Sequence, residues 1–222
     1  VRRRYGKFRS FHLCEAPGMF IDSLNHYLKT QTNITDFDWN AQSLHPKIAE
    51  VKDVYGLIKN YSDNWHWGPN KNGDITNVDN IKSYKKFTHD LGLNQNEDVD
   101  LITSDCGLGW GVPGYKKVVC SSLIAILYLL PERKTFIYKV LMPFDNPLLM
   151  NLIYICYQNF KELIFFKPVQ NFHSQEIYII GKGYLGTTEK VMERLLFLVK
   201  NYDKYSDIDL FNDKYPQPFV NQ

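Results

Sequence analysis

Apolar and polar positions divide this chain into short apolar runs that alternate with stretches of helical spacing. Runs at 11–15, 37–42, 56–60, 99–104, 135–141, 162–167 and 175–181 have the length and composition of buried strands. Over 18–29, 78–90, 117–130, 146–159 and 187–200, apolar residues recur every three or four positions, which predicts helices. In the first of these, Met19, Phe20, Leu24, Tyr27 and Leu28 carry the stripe. Strands alternating with helices imply an α/β fold with a mostly parallel sheet and helices on both faces. The last two strands are separated by "KPVQNFH", too short for a crossover helix, so they are expected to pair antiparallel. The expectation is a Rossmann-like, mostly parallel seven-stranded sheet with one antiparallel strand. It occupies residues 1–202. The segment 203–222, with many Asp, Asn, Pro and Lys residues, is expected to be a tail on the surface or against a partner.

In such sheets the ligand sits outside the carboxyl ends of the strands. The residues found there are therefore informative. "FHLCEAPGMF" reads as a strand that ends at Glu15, a corner made by Pro17 and Gly18, and a helix start. Gln42 and Ser43 follow the second strand, and Asp105 follows "LITS". Lys139 lies inside "FIYKV" and Glu176 inside "SQEIYII". Any one of these can be a cap or a salt-bridge partner. An amine and several acids gathered at strand ends of one sheet is not a core pattern.

Composition narrows the class without naming it. The 222 residues suit one domain, and 44% hydrophobic with 23% charged residues is ordinary for a globular chain. A net charge of +2 gives no whole-molecule field for nucleic acid. Only the N-terminal cluster Arg2, Arg3, Arg4, Lys7 and Arg9 is locally basic. Cys14, Cys106, Cys120 and Cys156 are scattered, with no C-x-x-C and no histidine pair at metal spacing, so no metal site is expected and a reducing compartment is. No apolar stretch reaches the ~18 residues of a membrane span, and no signal peptide is read. An intracellular location, cytoplasmic or nuclear, follows as the expectation, and cytoplasmic if the source is viral.

The corner "EAPG" also discriminates between cofactors. Dinucleotide binding needs G-x-G-x-x-G. Here Gly18 stands alone and Pro17 removes an N–H. An acid in this place suits a cationic, amino-acid-like cofactor, and S-adenosylmethionine carries both an ammonium and a sulfonium. Asp74 in "NGDIT" is a candidate acceptor for the adenine amino group.

The stretches "FHLCEAPGMFIDSLNHYL", "WHWGPNKNGDIT", "LITSDCG", "FIYKV" and "SQEIYII" together resemble the FtsJ-like RNA 2′-O-methyltransferases. Within that family they are most similar to the group acting on the mRNA cap and its relatives in large DNA viruses. The long first motif is the specific part, and the match runs from about residue 5 to residue 184. The resemblance implies S-adenosyl-L-methionine as cofactor, with S-adenosyl-L-homocysteine as product. It implies cofactor contacts from Glu15, Ala16, Pro17, Gly18, Met19, Phe20, Gln42, Asp74, Ile75 and Asp105. Of the family's Lys-Asp-Lys-Glu tetrad it assigns Asp105, Lys139 and Glu176. Lys139 would activate a ribose 2′-hydroxyl, and Asp105 and Glu176 would orient it, without a metal. The implied partner is RNA, capped mRNA above all, with further capping or polymerase-associated domains, and no membrane.

This sequence departs from the family's pattern in three places. The first tetrad lysine lies further upstream than this chain reaches, since only 14 residues precede Glu15. Lys7 aligns with a non-catalytic position, so the lysine is expected on a segment upstream. Gln42 stands where many members have an acid for the cofactor ribose. The loop "GLGWGVPGYKK" after Asp105 is short and Gly-rich. Bases or a methylated guanine would stack on aromatics chosen from Trp65, Trp67, Trp110 and Tyr115. Phosphates would meet Lys116, Lys117, Lys167 or the N-terminal arginines. Two alternatives stay open: an enzyme of this fold acting on ribosomal or transfer RNA, and a catalytically impaired module that binds RNA or a partner.

Overall fold

The computed structural model describes residues 6–89, 98–106, 108, 111–171, 173–211 and 215–220. Six strands form one sheet: β1 (Lys7–Leu13), β2 (Asp36–Gln42), β3 (Leu101–Ser104), β4 (Thr135–Leu141), β5 (Phe160–Phe166) and β6 (Glu176–Tyr184). Their order is β2-β1-β3-β4-β6-β5. β6 runs antiparallel to both its neighbours, and the β1, β2, β3 and β4 pairings are parallel. The helices are α1 (Met19–Gln31), α2 (Pro46–Ala49), α3 (Leu57–Asn60), α4 (Val78–Ser83), α5 (Lys85–Thr88), α6 (Tyr115–Leu129), α7 (Pro147–Asn159), α8 (Glu189–Lys200), α9 (Tyr202–Tyr205) and α10 (Gln217–Val220). This is the Rossmann-like arrangement expected, with six strands among the described residues instead of seven.

The missing strand is the run 56–60. Gly56 adopts φ 67° and starts α3, and the Asp53 carboxylate accepts the N–H groups of Ile58 and Lys59 at 3.2 and 2.9 Å. That cap satisfies helix-start amides and wins over the apolar character of Leu57 and Ile58. Leu57 and Ile58 then pack against the small cluster of Ile21, Trp39, Ala41 and Trp65.

Strand alternation assigns the two faces. Phe11, Ile102, Phe136 and Tyr138 point to the large core, built with α6, α7 and α8, where the Tyr138 hydroxyl donates to the Val119 carbonyl at 2.9 Å. Ser10, His12, Trp39, Ala41, Thr103 and Lys139 point to the other face, which α1 covers over β1 and β2. Over β4 and β6 this second face is only half-covered: Ile137, Lys139, Tyr178 and Ile180 all keep partial exposure.

The segment after 202 is not a free surface tail. Phe219 is buried, and Phe211 and Tyr215 pack with it around Tyr154 of α7. Asn151 of α7 donates to the Ile208 carbonyl at 3.0 Å and accepts from the Tyr215 hydroxyl at 2.9 Å. The polar composition concealed regularly spaced aromatics that α7 needs to cover its outer side.

Candidate active site

β1 ends at Leu13, and the chain turns through Cys14, at φ 56°, and a cis Ala16–Pro17 peptide into α1. Gly18 sits at φ 119°, and its N–H donates to the Glu15 carbonyl at 2.7 Å. A Cβ there would lie 2.4 Å from Leu57 Cδ1 and displace that side chain, and the positive φ strains any residue with a Cβ. Glu15 folds back beneath the helix start. Its Oε1 accepts the N–H groups of Phe20 and Ile21 at 2.8 and 3.2 Å, taking two of the amides that the first turn leaves open. Its Oε2 is buried without a hydrogen-bond partner. Burial pushes the carboxyl up to about 8; Asp105 adds to the rise, and the two amides and Lys139 act against it.

Lys139 lies at the centre of the site. Its amine pairs with Asp105, just beyond β3, and stands 3.5 Å from Glu176 Oε1 at the start of β6. Register explains the meeting: Lys139 is opposite Tyr178 on β6, so Glu176, two residues along, shares its face. Burial alone would lower the Lys139 pKa, but Asp105, Glu176 and Tyr178 together raise it above the ordinary lysine value. Glu176 is positioned in turn by Lys167, whose amine donates to the carbonyls of Ser174 and, at 2.8 Å, Glu176 itself.

Other anticipated residues are committed to the protein's own architecture. Gln42 is fully buried; its Oε1 accepts the Cys14 N–H at 3.2 Å and its Nε2 donates to the Gly73 carbonyl. It therefore ties the corner to the loop carrying Asp74. Asp74 Oδ1 accepts the N–H and the hydroxyl of Thr76, both at 2.8 Å, and Ile75 is buried. Gly73, at φ 67°, brings this loop so close that a Cβ would lie 1.7 Å from the Ser43 carbonyl oxygen. Ser43 Oγ accepts the Ala16 N–H at 3.3 Å.

The aromatic and basic candidates divide. Trp65 is buried, T-shaped on Trp39 and stacked on Trp67, so it is a core residue and offers no face to a base. Tyr115 is buried too, its hydroxyl accepting the Leu141 N–H at 2.9 Å. Lys116 and Lys117 pair with Asp145 and Asp203 at 2.9 and 3.0 Å. Trp110 and Arg2, Arg3 and Arg4 lie outside the described residues. Met19 is exposed beside the corner, and Phe20 makes a T-shaped contact with Tyr178 at 6.2 Å. Tyr178 was not anticipated; its place opposite Lys139 depends on β-register, which a single strand does not encode.

The family model described as FtsJ-like methyltransferase matches residues 3–184. Among curated proteins, one from Acanthamoeba polyphaga mimivirus is 32% identical over 217 residues, covering 92% of this chain and 26% of that protein. The cap-specific mRNA (nucleoside-2′-O-)-methyltransferase 2 of Mus musculus is 31% identical over 210 residues, covering 89% and 26%. A probable methyltransferase of African swine fever virus is 28% identical over 220 residues, covering 91% and 50%. The chain thus spans about a quarter of the length of the first two relatives and half of the third. With the match covering most of its length, this chain belongs to the FtsJ-like methyltransferase family.

Proposed function

We propose that this chain transfers a methyl group from S-adenosylmethionine to a ribose 2′-hydroxyl of RNA, close to the 5′ cap of mRNA. The observation that carries the reading is the Lys139 amine held between Asp105 and Glu176 on the half-covered face of the sheet, next to the Glu15 corner. The residues fit the cofactor: the buried Oε2 of Glu15 has no hydrogen-bond partner and, once ionised, suits a cationic group, and the Ala16–Phe20 turn adjoins it in sequence. When bound, S-adenosylmethionine supplies an electrophilic sulfonium methyl.

The chain's own residues do the rest. Asp105 and Glu176 keep Lys139 protonated at neutral pH, so its ammonium acts on the attacking oxygen by stabilising negative charge as it develops, and the hydroxyl proton passes to solvent at this half-covered face. A neutral amine would need a second cation nearby to lower its pKa. The half-open surface around Ile137, Tyr178 and Ile180 leaves room for a ribose to approach Lys139. The similarity to the mouse cap-specific enzyme supports the cap as the location. The same raised lysine pKa favours a second reading, a weakly active module that binds RNA.

The test is transfer of labelled methyl to a short capped RNA, using this chain, Lys139→Ala, and a version extended upstream along the natural sequence. Label on the first or second transcribed nucleotide, lost in Lys139→Ala, supports the enzyme. Cofactor binding without transfer in every version supports the binding module.

A further inference from the structure

Two free thiols face each other between the residues just described. Cys14 immediately precedes Glu15, and Cys106 immediately follows Asp105. Their sulfurs are 2.7 Å apart, across the ends of the paired strands β1 and β3. A disulfide bond is ~2.05 Å long, so bonding needs a movement well under 1 Å. Cys14 is a partly exposed residue at the corner, and Cys106 is buried behind it. Burial opposes ionisation of Cys106, but its hydrogen bonds with Cys14, Ser104 and Ser122 outweigh it and hold the thiol below its ordinary value. Its partner Cys14 is raised by the same contact and by burial. Cys120 offers the contrast: it is buried, with its thiol pushed up to about 12.

We propose that Cys14 and Cys106 are a reversible oxidation site, joined into a disulfide by a peroxide-class oxidant, and that this bond weakens cofactor binding at the adjoining corner. One thiolate attacks a peroxide oxygen, the O–O bond breaks, and a sulfenic acid forms. The second sulfur displaces its oxygen as water. In total, two thiols and one hydrogen peroxide give one disulfide and two waters. The bond draws together the residues flanking Glu15 and Asp105, and so displaces the carboxylates that face the cofactor corner and Lys139. In a reducing compartment such a bridge is transient, as expected of a sensor. The effect on binding rests on the cofactor reading above; formation of the bond does not.

The experiment treats the reduced chain with graded hydrogen peroxide, then measures intact mass, maps alkylated peptides, and titrates S-adenosylhomocysteine by calorimetry. The expected result is a loss of about 2 Da, a peptide pair linking Cys14 to Cys106, and a roughly tenfold fall in affinity, all reversed by dithiothreitol. Cys120→Ser keeps the mass loss and Cys106→Ser abolishes it. If Cys106→Ser does not fold, the peptide map of the unaltered chain decides alone. Both cysteines still open to alkylation after peroxide, or a gain of about 32 Da at Cys14, overturns the site. The mapped disulfide with unchanged affinity overturns its effect on the corner. A reduced chain that binds no S-adenosylhomocysteine counts against the cofactor reading, and the mass data then judge the disulfide separately.

Discussion

His12 Nδ1 stands 3.8 Å from Glu15 Oε2, with both side chains buried, and at neutral pH the two are not an ion pair. Burial takes the imidazole down to about 3 and the carboxyl up to about 8, so both groups are neutral between these values. His12 is satisfied without charge: Nε2 bonds Ser10 Oγ and Nδ1 bonds Thr103 Oγ1, each at 2.7 Å. Glu15 Oε1 accepts two amides, which leaves Oε2 as the oxygen that carries the proton.

This pair makes stability depend on pH in two opposed ways. From about 4.5 to about 8 the folded Glu15 keeps a proton that the unfolded chain has lost, so its contribution falls as pH rises. From about 3 to about 6.5 the unfolded His12 binds a proton that the folded state refuses, so its contribution grows as pH rises. Glu15→Gln should therefore flatten the decline between about pH 6.5 and about pH 8 in urea melts. An unchanged slope would show that Glu15 is already ionised in the fold.

Cofactor affinity should rise with pH over the same range. A cationic ligand at Oε2 favours the carboxylate, so binding releases the Glu15 proton. Below about 8, each pH unit upward should tighten binding by up to about tenfold, levelling above it. Calorimetry in buffers of different ionisation enthalpy measures the released proton directly, and none released would disconnect Glu15 from the cation.

Lys139→Ala should lower methyl transfer by about 10²-fold or more while cofactor binding changes little. Lys139→Arg should restore charge but not activity, because a planar guanidinium does not fit between Asp105 and Glu176 as a point ammonium does. Since the Lys139 pKa is raised, the rate of the unaltered enzyme should not decline from about pH 7 to about pH 9. A decline there would show that Lys139 loses its proton in that range and is not held above the ordinary lysine value.

Gly73→Ala should destabilise the fold on the order of 2–4 kcal/mol, because the new Cβ meets a backbone oxygen that cannot swing away. Gln42→Ala should cost about 1–3 kcal/mol by stranding the Cys14 N–H and the Gly73 carbonyl. Both are read from chemical melts, and both should weaken cofactor binding through the loop they hold.

The alternation of apolar runs and helical spacing by itself determined the α/β class, the antiparallel last strand, the places of Glu15, Asp105 and Glu176 at strand ends and that of Lys139 within a strand, since each depends on local periodicity or chain order. Only the tertiary structure decided what each side chain meets. Asp53 turned an apolar run into a capped helix, and the long-range bonds of Gln42 and the burial of Trp65 and Tyr115 spent residues that the sequence offered to ligands. The contact of the Cys14 and Cys106 thiols, like that of Lys139 with Glu176, is set by strand register between segments distant in sequence. Such register arises from packing summed over the whole sheet, and no single segment carries it.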